Sequence, residues 1–216
     1  MPLSLHQHIS DDIELGIWEI EESESWFLDN LHLSPKEKEH LVLIKGQKRI
    51  EWLAVRYLVH KMSGRAIRGA FLKDEFGKPF LQHSPYFISI SHSSGRAAVI
   101  ASPVNNGIDI QKIVPKMELI AQKFMHPDEL NTLQKEHRLT QLHVYWGAKE
   151  CLYKAYGRKQ LDFRAHIAIT PFVFMPEGGQ CTGSVKKGDI NMEFTIFYRL
   201  IDDFVLVYSL EKNAKT

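Results

Sequence analysis

The stretch from Trp146 to Lys154, WGAKECLYK, constrains the fold most strongly, because it requires a helix with one face packed on a core. Helix-forming residues run through it, and neither proline nor glycine interrupts the chain between Ala148 and Tyr156. Helical periodicity gives it an apolar face, which consists of Tyr145, Ala148, Cys151, Leu152 and Ala155. We therefore predict a long helix from about Leu139 to Tyr156.

The opposite face of this helix carries charge and aromatic character. Trp146, Glu150, Lys154 and Gly157 follow one another at intervals of three or four residues, so that a carboxylate and an ammonium lie one helical turn apart. Most such pairs are surface ion pairs worth a few tenths of a kcal/mol. The pattern alone leaves both interpretations open, a surface pair and a reactive site.

Composition narrows the class of protein. With 216 residues and 44% hydrophobic content, the chain can bury a core as one large domain or two small ones. The formal net charge is only +1, although the segment 36–68 is basic and the segment 11–29 is acidic. A local basic segment in a neutral chain favours an anionic ligand over nucleic acid, which selects strongly basic domains.

Cysteine content and hydropathy exclude further classes. Only Cys151 and Cys181 occur, so neither a disulfide framework nor a zinc cluster is indicated, and Cys151 is expected to be a packed thiol. The N-terminus lacks a basic start followed by an apolar core, and no apolar run approaches the length of a membrane span. We expect a cytoplasmic protein with no membrane partner.

The first half of the chain predicts one strand followed by helices. The segment 14–20 alternates as a strand, Ser23 begins a short helix, and Ser34 with Pro35 begins another. A longer helix follows over 47–62, with Arg49 and Arg56 placed off its apolar face. These arginines could bind a phosphate together with Lys36, Lys38 and His40, although a solvated basic face is the commoner explanation of such a set.

A hairpin follows these helices. Short strands are predicted over 70–73, 86–91 and 96–101, with a turn over 74–79 that contains Gly77, Lys78 and Pro79. His92 comes directly after the strand YFISIS, in the sequence His-Ser-Ser-Gly. A turn requires serine and glycine but no histidine, so His92 is either a site residue or part of a polar loop.

The turn at 103–107, PVNNG, is the best candidate boundary between two halves, 1–103 and 104–216. In the strand that follows, alternation places Asp109 and Gln111 on one face. Aspartate is unfavourable inside a strand unless it has a partner such as a base or a metal. Helices over 117–125 and 127–136, the long helix and four further strands at 165–170, 180–186, 191–200 and 204–210 complete an α+β fold.

Four motifs in this order carry a family resemblance. They are GKP (77–79), ISISHSSG (88–95), GIDI (107–110) and WGAKECLYKAYG (146–157). Together they resemble the Sfp-type 4′-phosphopantetheinyl transferases of the holo-acyl-carrier-protein synthase superfamily, over nearly the whole chain. The resemblance implies two pseudo-symmetric α/β halves with coenzyme A and Mg²⁺ in the cleft between them.

The resemblance also implies a role for each matching residue. Asp109 and Glu150 would be metal ligands, and Glu150 would accept the serine proton. Lys154 would contact the phosphate, and Lys149 matches the lysine of the family's Lys-Glu pair and would also bind coenzyme A. Ser91 and His92 would lie at the coenzyme A phosphates, and Lys78 and Pro79 beside the adenine. The nearest matches for the ribose 3′-phosphate are His40, Arg49 and Lys73.

One position departs from the family pattern. Many members have glutamate as a further metal ligand where this chain has Gln111, whose amide oxygen can coordinate Mg²⁺ but brings no charge. The implied activity is transfer of the phosphopantetheine arm of coenzyme A to a serine of an acyl or peptidyl carrier protein. A coenzyme A or carrier-protein binding module without turnover and a metal-dependent phosphohydrolase are the alternatives.

The expected carrier-binding segment follows GIDI. It combines the basic residues Lys112, Lys116 and Lys123 with the apolar residues Val114, Met117, Ile120 and Phe124. Carriers of this class are acidic, so the lysines would guide the encounter and the apolar residues would dock. A solvated amphipathic helix is the alternative explanation. Because one chain carries both halves, we expect a monomer.

Overall fold

The computed structural model describes residues 3–212. Two antiparallel sheets account for the strands in this part of the chain. The first sheet has the order β1-β2-β6-β5-β4-β3, and its strands are β1 (Leu3–Ser10), β2 (Ile13–Glu19), β3 (Phe71–Lys73), β4 (Pro79–Leu81), β5 (Phe87–Ser93) and β6 (Arg96–Ser102). The second has the order β7-β11-β10-β9-β8, with β7 (Asn106–Lys112), β8 (Ile167–Ile169), β9 (Gly179–Lys187), β10 (Ile190–Ile201) and β11 (Phe204–Glu211). The predicted α+β class is confirmed.

Six α-helices join or cover these sheets within residues 3–212. They are α1 (Glu24–Asn30), α2 (Pro35–Val42), α3 (Gln47–Met62), α4 (Met117–Phe124), α5 (Pro127–Leu130) and α6 (Arg138–Tyr156), with a short 3₁₀ turn at Lys135–His137 before α6. Ser23 caps α1 and Ser34 caps α2, the latter in a reciprocal capping box with Glu37. The predicted starts of these helices are therefore confirmed.

The layers stack as helix, sheet, sheet, helix. Adjacent residues of β2 point to opposite faces of the first sheet. Trp18 packs with Leu58 of α3 on one face, and Ile17 packs against Ile110 of the second sheet on the other. On the far side, Leu152 of α6 packs with Val207 of β11. The central strands are thus buried on two faces, which explains why β6 reads as a nearly continuous apolar run.

Two predicted elements differ from the structure. The helix expected over 127–136 ends at Leu130, where the Thr132 hydroxyl donates to the Glu129 carbonyl and the backbone NH of Gln134 donates to the Gln141 side chain. His92 lies within β5 and not in a loop. The turn that follows consists of Ser94 and Gly95, whose φ angles of 47° and 83° are those of a tight hairpin.

Candidate active site

Two serines of β5 connect the two sheets. Strand alternation directs Ser89 and Ser91 towards β7, while Ile88 packs with the α3 core. The backbone NH of Ile108 donates to Ser89 Oγ at 3.1 Å, and Ser91 Oγ donates to Asp109 Oδ1 at 2.9 Å. The sequence ISISHS therefore fixes the position of Asp109 relative to the first half of the chain.

Gly107 allows helix α6 to approach β7 closely. A Cβ at this position would lie 2.0 Å from the Cys151 carbonyl oxygen, which no side chain could accommodate. Cys151 itself is buried, and its thiol donates to the Val207 carbonyl at 3.3 Å, as expected of a packed thiol. This close contact brings Asp109, two residues along β7, within reach of the next turn of the helix.

Asp109 and Lys154 form the central ion pair of the site. Lys154 Nζ lies 2.9 Å from Asp109 Oδ1 and donates to the Ile108 carbonyl at 2.7 Å. Burial alone would lower the pKa of Lys154, but the negative charge of Asp109 outweighs it and the pKa is raised. The ammonium therefore stays charged at neutral pH. The spacing along the helix allows a surface pair of Lys154 with Glu150, but Lys154 pairs with Asp109 of β7 instead.

Glu150 completes the charged group from the same helix. Burial raises its pKa, the charge of Asp109 raises it further, and Lys154 opposes both. Two neighbouring carboxylates repel each other, and a cation bound between them would relieve this repulsion. Carboxylate oxygens are hard ligands, which Mg²⁺ prefers. Asp109 and Glu150 therefore fit a magnesium ion by the chemistry of their donor atoms.

Gln111 shares a strand face with Asp109, as predicted, but its amide oxygen is engaged elsewhere. His143 Nδ1 lies 3.0 Å from Gln111 Oε1, and His143 Nε2 lies 3.0 Å from the backbone nitrogen and 3.2 Å from the carbonyl oxygen of Val114. Because an amide oxygen only accepts, Nδ1 donates to Gln111. Burial lowers the pKa of His143. The Gln111 NH₂ group then donates to Asp109 Oδ2 at 3.1 Å. In this arrangement Gln111 orients the aspartate.

His92 projects from β5 with one nitrogen already held. Its Nδ1 lies 2.8 Å from the carboxylate of Glu51 on α3, and the side chain is 40% exposed. Glu51 fixes the ring by this contact, which leaves Nε2 for a ligand. Glu51 was not predicted. The sequence does carry a signal for Glu51. It is an acidic residue among apolar ones on the packed face of a helix, and a buried carboxylate needs a partner.

A cleft of about 240 Å³ lies between the β3–β4 hairpin of the first sheet and the C-terminal end of α6. Its cationic side chains are Lys73, Lys78, Lys154, Arg158 and Lys159, and its apolar ones include Phe76, Pro79 and Tyr153. Carboxylates are absent from this lining. Cations clustered in a cleft raise the positive electrostatic potential there, which favours an anionic ligand with several negative groups. Arg158 and Lys159 follow the predicted helix and were overlooked because they lie outside the motif.

Lys78 has a structural contact as well as its place in the cleft. Its ammonium donates to Asn105 Oδ1 at 2.6 Å and to the Ala155 carbonyl at 2.8 Å. Burial lowers its pKa. The contact to Ala155 ties the GKP turn to the last turn of α6, and so fixes the width of the cleft.

Lys149 does not reach the cleft. Its side chain is fully buried on the other side of α6, where its ammonium lies 2.8 Å from the Glu129 carboxylate. It also donates to the carbonyls of Phe163 and Ile167, each at 2.9 Å. With these three partners Lys149 holds α5 against α6, so its expected role at coenzyme A is corrected to a structural one.

The basic side chains predicted on the first helices do not form one cluster at the cleft. Arg49 forms an ion pair with Glu24 at 2.6 Å, which draws it away from the cleft, and Arg56 is buried on Trp52 beside Glu37. The expectation that Arg56 lies off the packed face is wrong, because Glu37 of α2 pairs with it inside the core. His40 lies near Lys73: burial lowers the pKa of His40, and the charge of Lys73 lowers it further.

The segment after GIDI forms α4, whose faces differ from the expectation. Met117 and Phe124 are buried in the core around α6, so they are unavailable for docking. Leu119 and Val114 are the apolar residues that face solvent, at 81% and 40% exposure. Lys116 and Lys123 are exposed on either side of this surface, as the sequence predicts.

Comparison with known proteins finds sequences that resemble part of this chain. Residues 106–196 match the family model described as the 4′-phosphopantetheinyl transferase superfamily. Over this segment, which is less than half of the chain, the chain is similar to that superfamily. The 4′-phosphopantetheinyl transferase gsp of Aneurinibacillus migulanus is 32% identical over 111 residues, which cover 50% of this chain and 46% of the relative. The 4′-phosphopantetheinyl transferase of Bacillus subtilis is 36% identical over 96 residues, 41% of this chain and 42% of that relative.

The matched part of the chain thus spans less than half the length of these two relatives. The superfamily segment begins at the first residue of β7 and contains Asp109, Glu150 and Lys154. Within residues 3–212, none of the helices combines the length and the apolar character that crossing a membrane requires.

Proposed function

We propose that this protein transfers the 4′-phosphopantetheine arm of coenzyme A to a serine of an apo acyl or peptidyl carrier protein. The observation that carries the proposal is the ion pair between Asp109 and Lys154, close to Glu150 and at the edge of a cleft rich in cations. The names of the superfamily and of both relatives support the same class of reaction.

Coenzyme A would lie in the cleft with its anionic groups on the cations. Lys73 lines the cleft and His40 lies near it, so both are proposed to bind the ribose 3′-phosphate. Pro79 and the aliphatic stem of Lys78 would form a wall beside the adenine. His92 Nε2 and Lys154 would donate to the pyrophosphate. Arg49 and Lys149 are left out of this proposed set because other groups occupy them.

Asp109 and Glu150 are proposed to hold Mg²⁺, while Ser91 and Gln111 orient Asp109 by donating to its two oxygens. When bound, the metal ion would neutralise negative charge on the pyrophosphate. Ser91 and Gln111 hold the carboxylate in one rotamer, so little reorganisation is needed on binding.

The reaction needs a base and a means to stabilise charge. The carrier serine oxygen forms a bond to the β-phosphorus, and the bond from that phosphorus to the bridging oxygen breaks to release 3′,5′-ADP. Negative charge grows on the bridging oxygen, where the ammonium of Lys154 and the imidazole of His92 would stabilise it. Glu150 would accept the serine proton.

The cleft combines residues of both halves of one chain, from β3 through the end of α6. We therefore propose that residues 1–103 and 104–216 act as two halves of one catalytic unit, and that a monomer suffices for transfer. The surface formed by Val114 and Lys116, just before α4, and by Leu119 and Lys123 on α4 is the proposed binding site for the acidic carrier.

The test is incubation with coenzyme A, Mg²⁺ and an apo carrier protein, followed by measurement of the intact carrier mass. The proposal requires a gain equal to one phosphopantetheine arm, absent from a carrier whose acceptor serine is replaced by alanine. Coenzyme A binding without any mass gain would support the binding-module alternative. Release of 3′,5′-ADP without a carrier would support the phosphohydrolase instead.

A further inference from the structure

A second group of ligand atoms lies on the first sheet, outside the cleft. It consists of His6 and His8 on β1 and Glu14 on β2. Strand alternation puts both histidines on one face, while Gln7 between them points to the other side and accepts from Arg199. Leu5 and Ile9 pack with the core between the sheets, so the histidines face away from that core.

The strand register brings Glu14 to the histidines. His8 is the direct cross-strand partner of Glu14, and His6 pairs with Gly16, whose missing side chain leaves room for Leu58 and Met62 of α3. His6 Nε2 lies 3.0 Å from Glu14 Oε2, and the two imidazole rings are 5.4 Å apart. One ligand atom from each of the three residues lies within 4.8 Å of the others.

This donor set differs in kind from the pair in the cleft. Two imidazoles and a carboxylate are ligands that Zn²⁺ and its neighbours in the first transition row prefer, whereas Mg²⁺ prefers oxygen alone. Bonds of about 2.0–2.1 Å to a tetrahedral metal place its ligand atoms roughly 3.3 Å apart. Small side-chain rotations of His8 and Glu14 would close the group to that distance.

We propose that His6, His8 and Glu14 form a binding site for a divalent transition metal of the Zn²⁺ type, with at least one position open to solvent. The side chains of His6 and Glu14 are 32% and 30% exposed, so an ion can enter and keep a water ligand. Within residues 3–212, β1 is the edge strand of the first sheet and is hydrogen-bonded to β2. A metal held by both strands would therefore fasten this edge strand to the sheet.

The test is titration of the protein with Zn²⁺ by calorimetry, with Co²⁺ and its visible absorption as a second probe. His8→Ala and Glu14→Gln remove one ligand each, and both side chains lie outside the cores. His32→Ala removes an exposed histidine elsewhere and is the matched control. Wild type and His32→Ala should bind one more Zn²⁺ ion than His8→Ala, and Glu14→Gln should bind that ion at least tenfold more weakly.

Hydrogen exchange then locates the ion. Zn²⁺ should slow exchange of the β1 and β2 amides in wild type and leave those of His8→Ala unchanged. Equal Zn²⁺ stoichiometry and affinity in wild type and His8→Ala would overturn the proposal, as would Zn²⁺ binding without any protection of β1. The readout does not depend on coenzyme A or on phosphopantetheine transfer, so it stands or falls separately from the proposed activity.

Discussion

Lys154 Nζ on helix α6 lies 2.9 Å from Asp109 Oδ1 on strand β7, so Lys154 forms its ion pair with the strand and not with Glu150 one turn away on its own helix. The difference matters for chemistry. A surface pair within one helix is worth a few tenths of a kcal/mol and occupies both charges. Because Lys154 pairs with Asp109, the Glu150 carboxylate is available to bind a cation or take a proton.

Replacement of His92 by alanine should weaken the use of coenzyme A without unfolding the protein, because the side chain is 40% exposed. A charged hydrogen bond to phosphate contributes about 1.5–3 kcal/mol, which corresponds to a loss of roughly ten- to a hundredfold in kcat/KM. Steady-state kinetics and calorimetry with coenzyme A measure both effects. Coenzyme A affinity equal to that of wild type would show that His92 only completes the hairpin.

Glu51→Gln is the companion variant, since it keeps the size of the side chain that holds His92 Nδ1 at 2.8 Å. The glutamine can still accept a hydrogen bond from the ring but no longer places a negative charge beside it. We expect a smaller loss in kcat/KM than for His92→Ala, and no additional loss when the two changes are combined. Fully additive losses would show that Glu51 acts independently of His92.

The proposed carrier surface predicts a salt-dependent effect. Lys116→Glu combined with Lys123→Glu should raise the KM for an acidic carrier, most strongly at low salt, while the KM for coenzyme A stays unchanged. Lys45→Glu with Lys186→Glu makes the same change of charge at exposed lysines elsewhere and serves as the control. If both double variants have the carrier KM of wild type, the carrier docks on another surface.

Lys149→Met should destabilise the fold without a specific effect on coenzyme A. The change leaves the Glu129 carboxylate buried without its cation, and loss of one partner of a buried pair costs about 3–5 kcal/mol. Urea denaturation measures the loss. The folded fraction should bind coenzyme A with the affinity of wild type. A weaker affinity in the folded protein would show that Lys149 contributes to coenzyme A binding.

Local patterns in the sequence determine the elements well. Caps at Ser23 and Ser34 fix where helices begin, and alternation in ISISHS fixes which side chains of β5 face β7. The packed face of α6 and the shared strand face of Asp109 and Gln111 followed from the same periodicities. Each of these properties depends on neighbours within a few residues along the chain.

The partners of charged side chains could not be predicted in this way. Arg56 is buried because Glu37 reaches it from α2, and Lys149 because Glu129 reaches it from α5. Lys149 also adjoins the apolar residue Ala148 in the sequence, so the helical pattern places it at the border between the two faces. Such ion pairs form between distant segments, and periodicity carries no information about them.

Gln111→Glu tests how the departure from the family pattern acts. The new carboxylate would face Asp109 Oδ2, where Gln111 now donates at 3.1 Å, and two like charges at that distance repel unless a cation lies between them. We therefore expect a higher affinity for Mg²⁺ than in wild type, measured by the concentration that gives half-maximal transfer. An unchanged or lower affinity would show that position 111 does not face the metal.

The most direct test of the proposed site is the rate of carrier modification against Mg²⁺ concentration for Asp109→Asn, Glu150→Gln and Gln111→Ala. The two carboxylates are proposed to oppose the cation with full charge, so loss of either should nearly abolish transfer at every Mg²⁺ concentration. Gln111→Ala removes one hydrogen bond that orients Asp109 and should retain most of the activity. Circular dichroism confirms that each variant is folded. A folded Gln111→Ala as inactive as Glu150→Gln, or an active Asp109→Asn, would contradict the account.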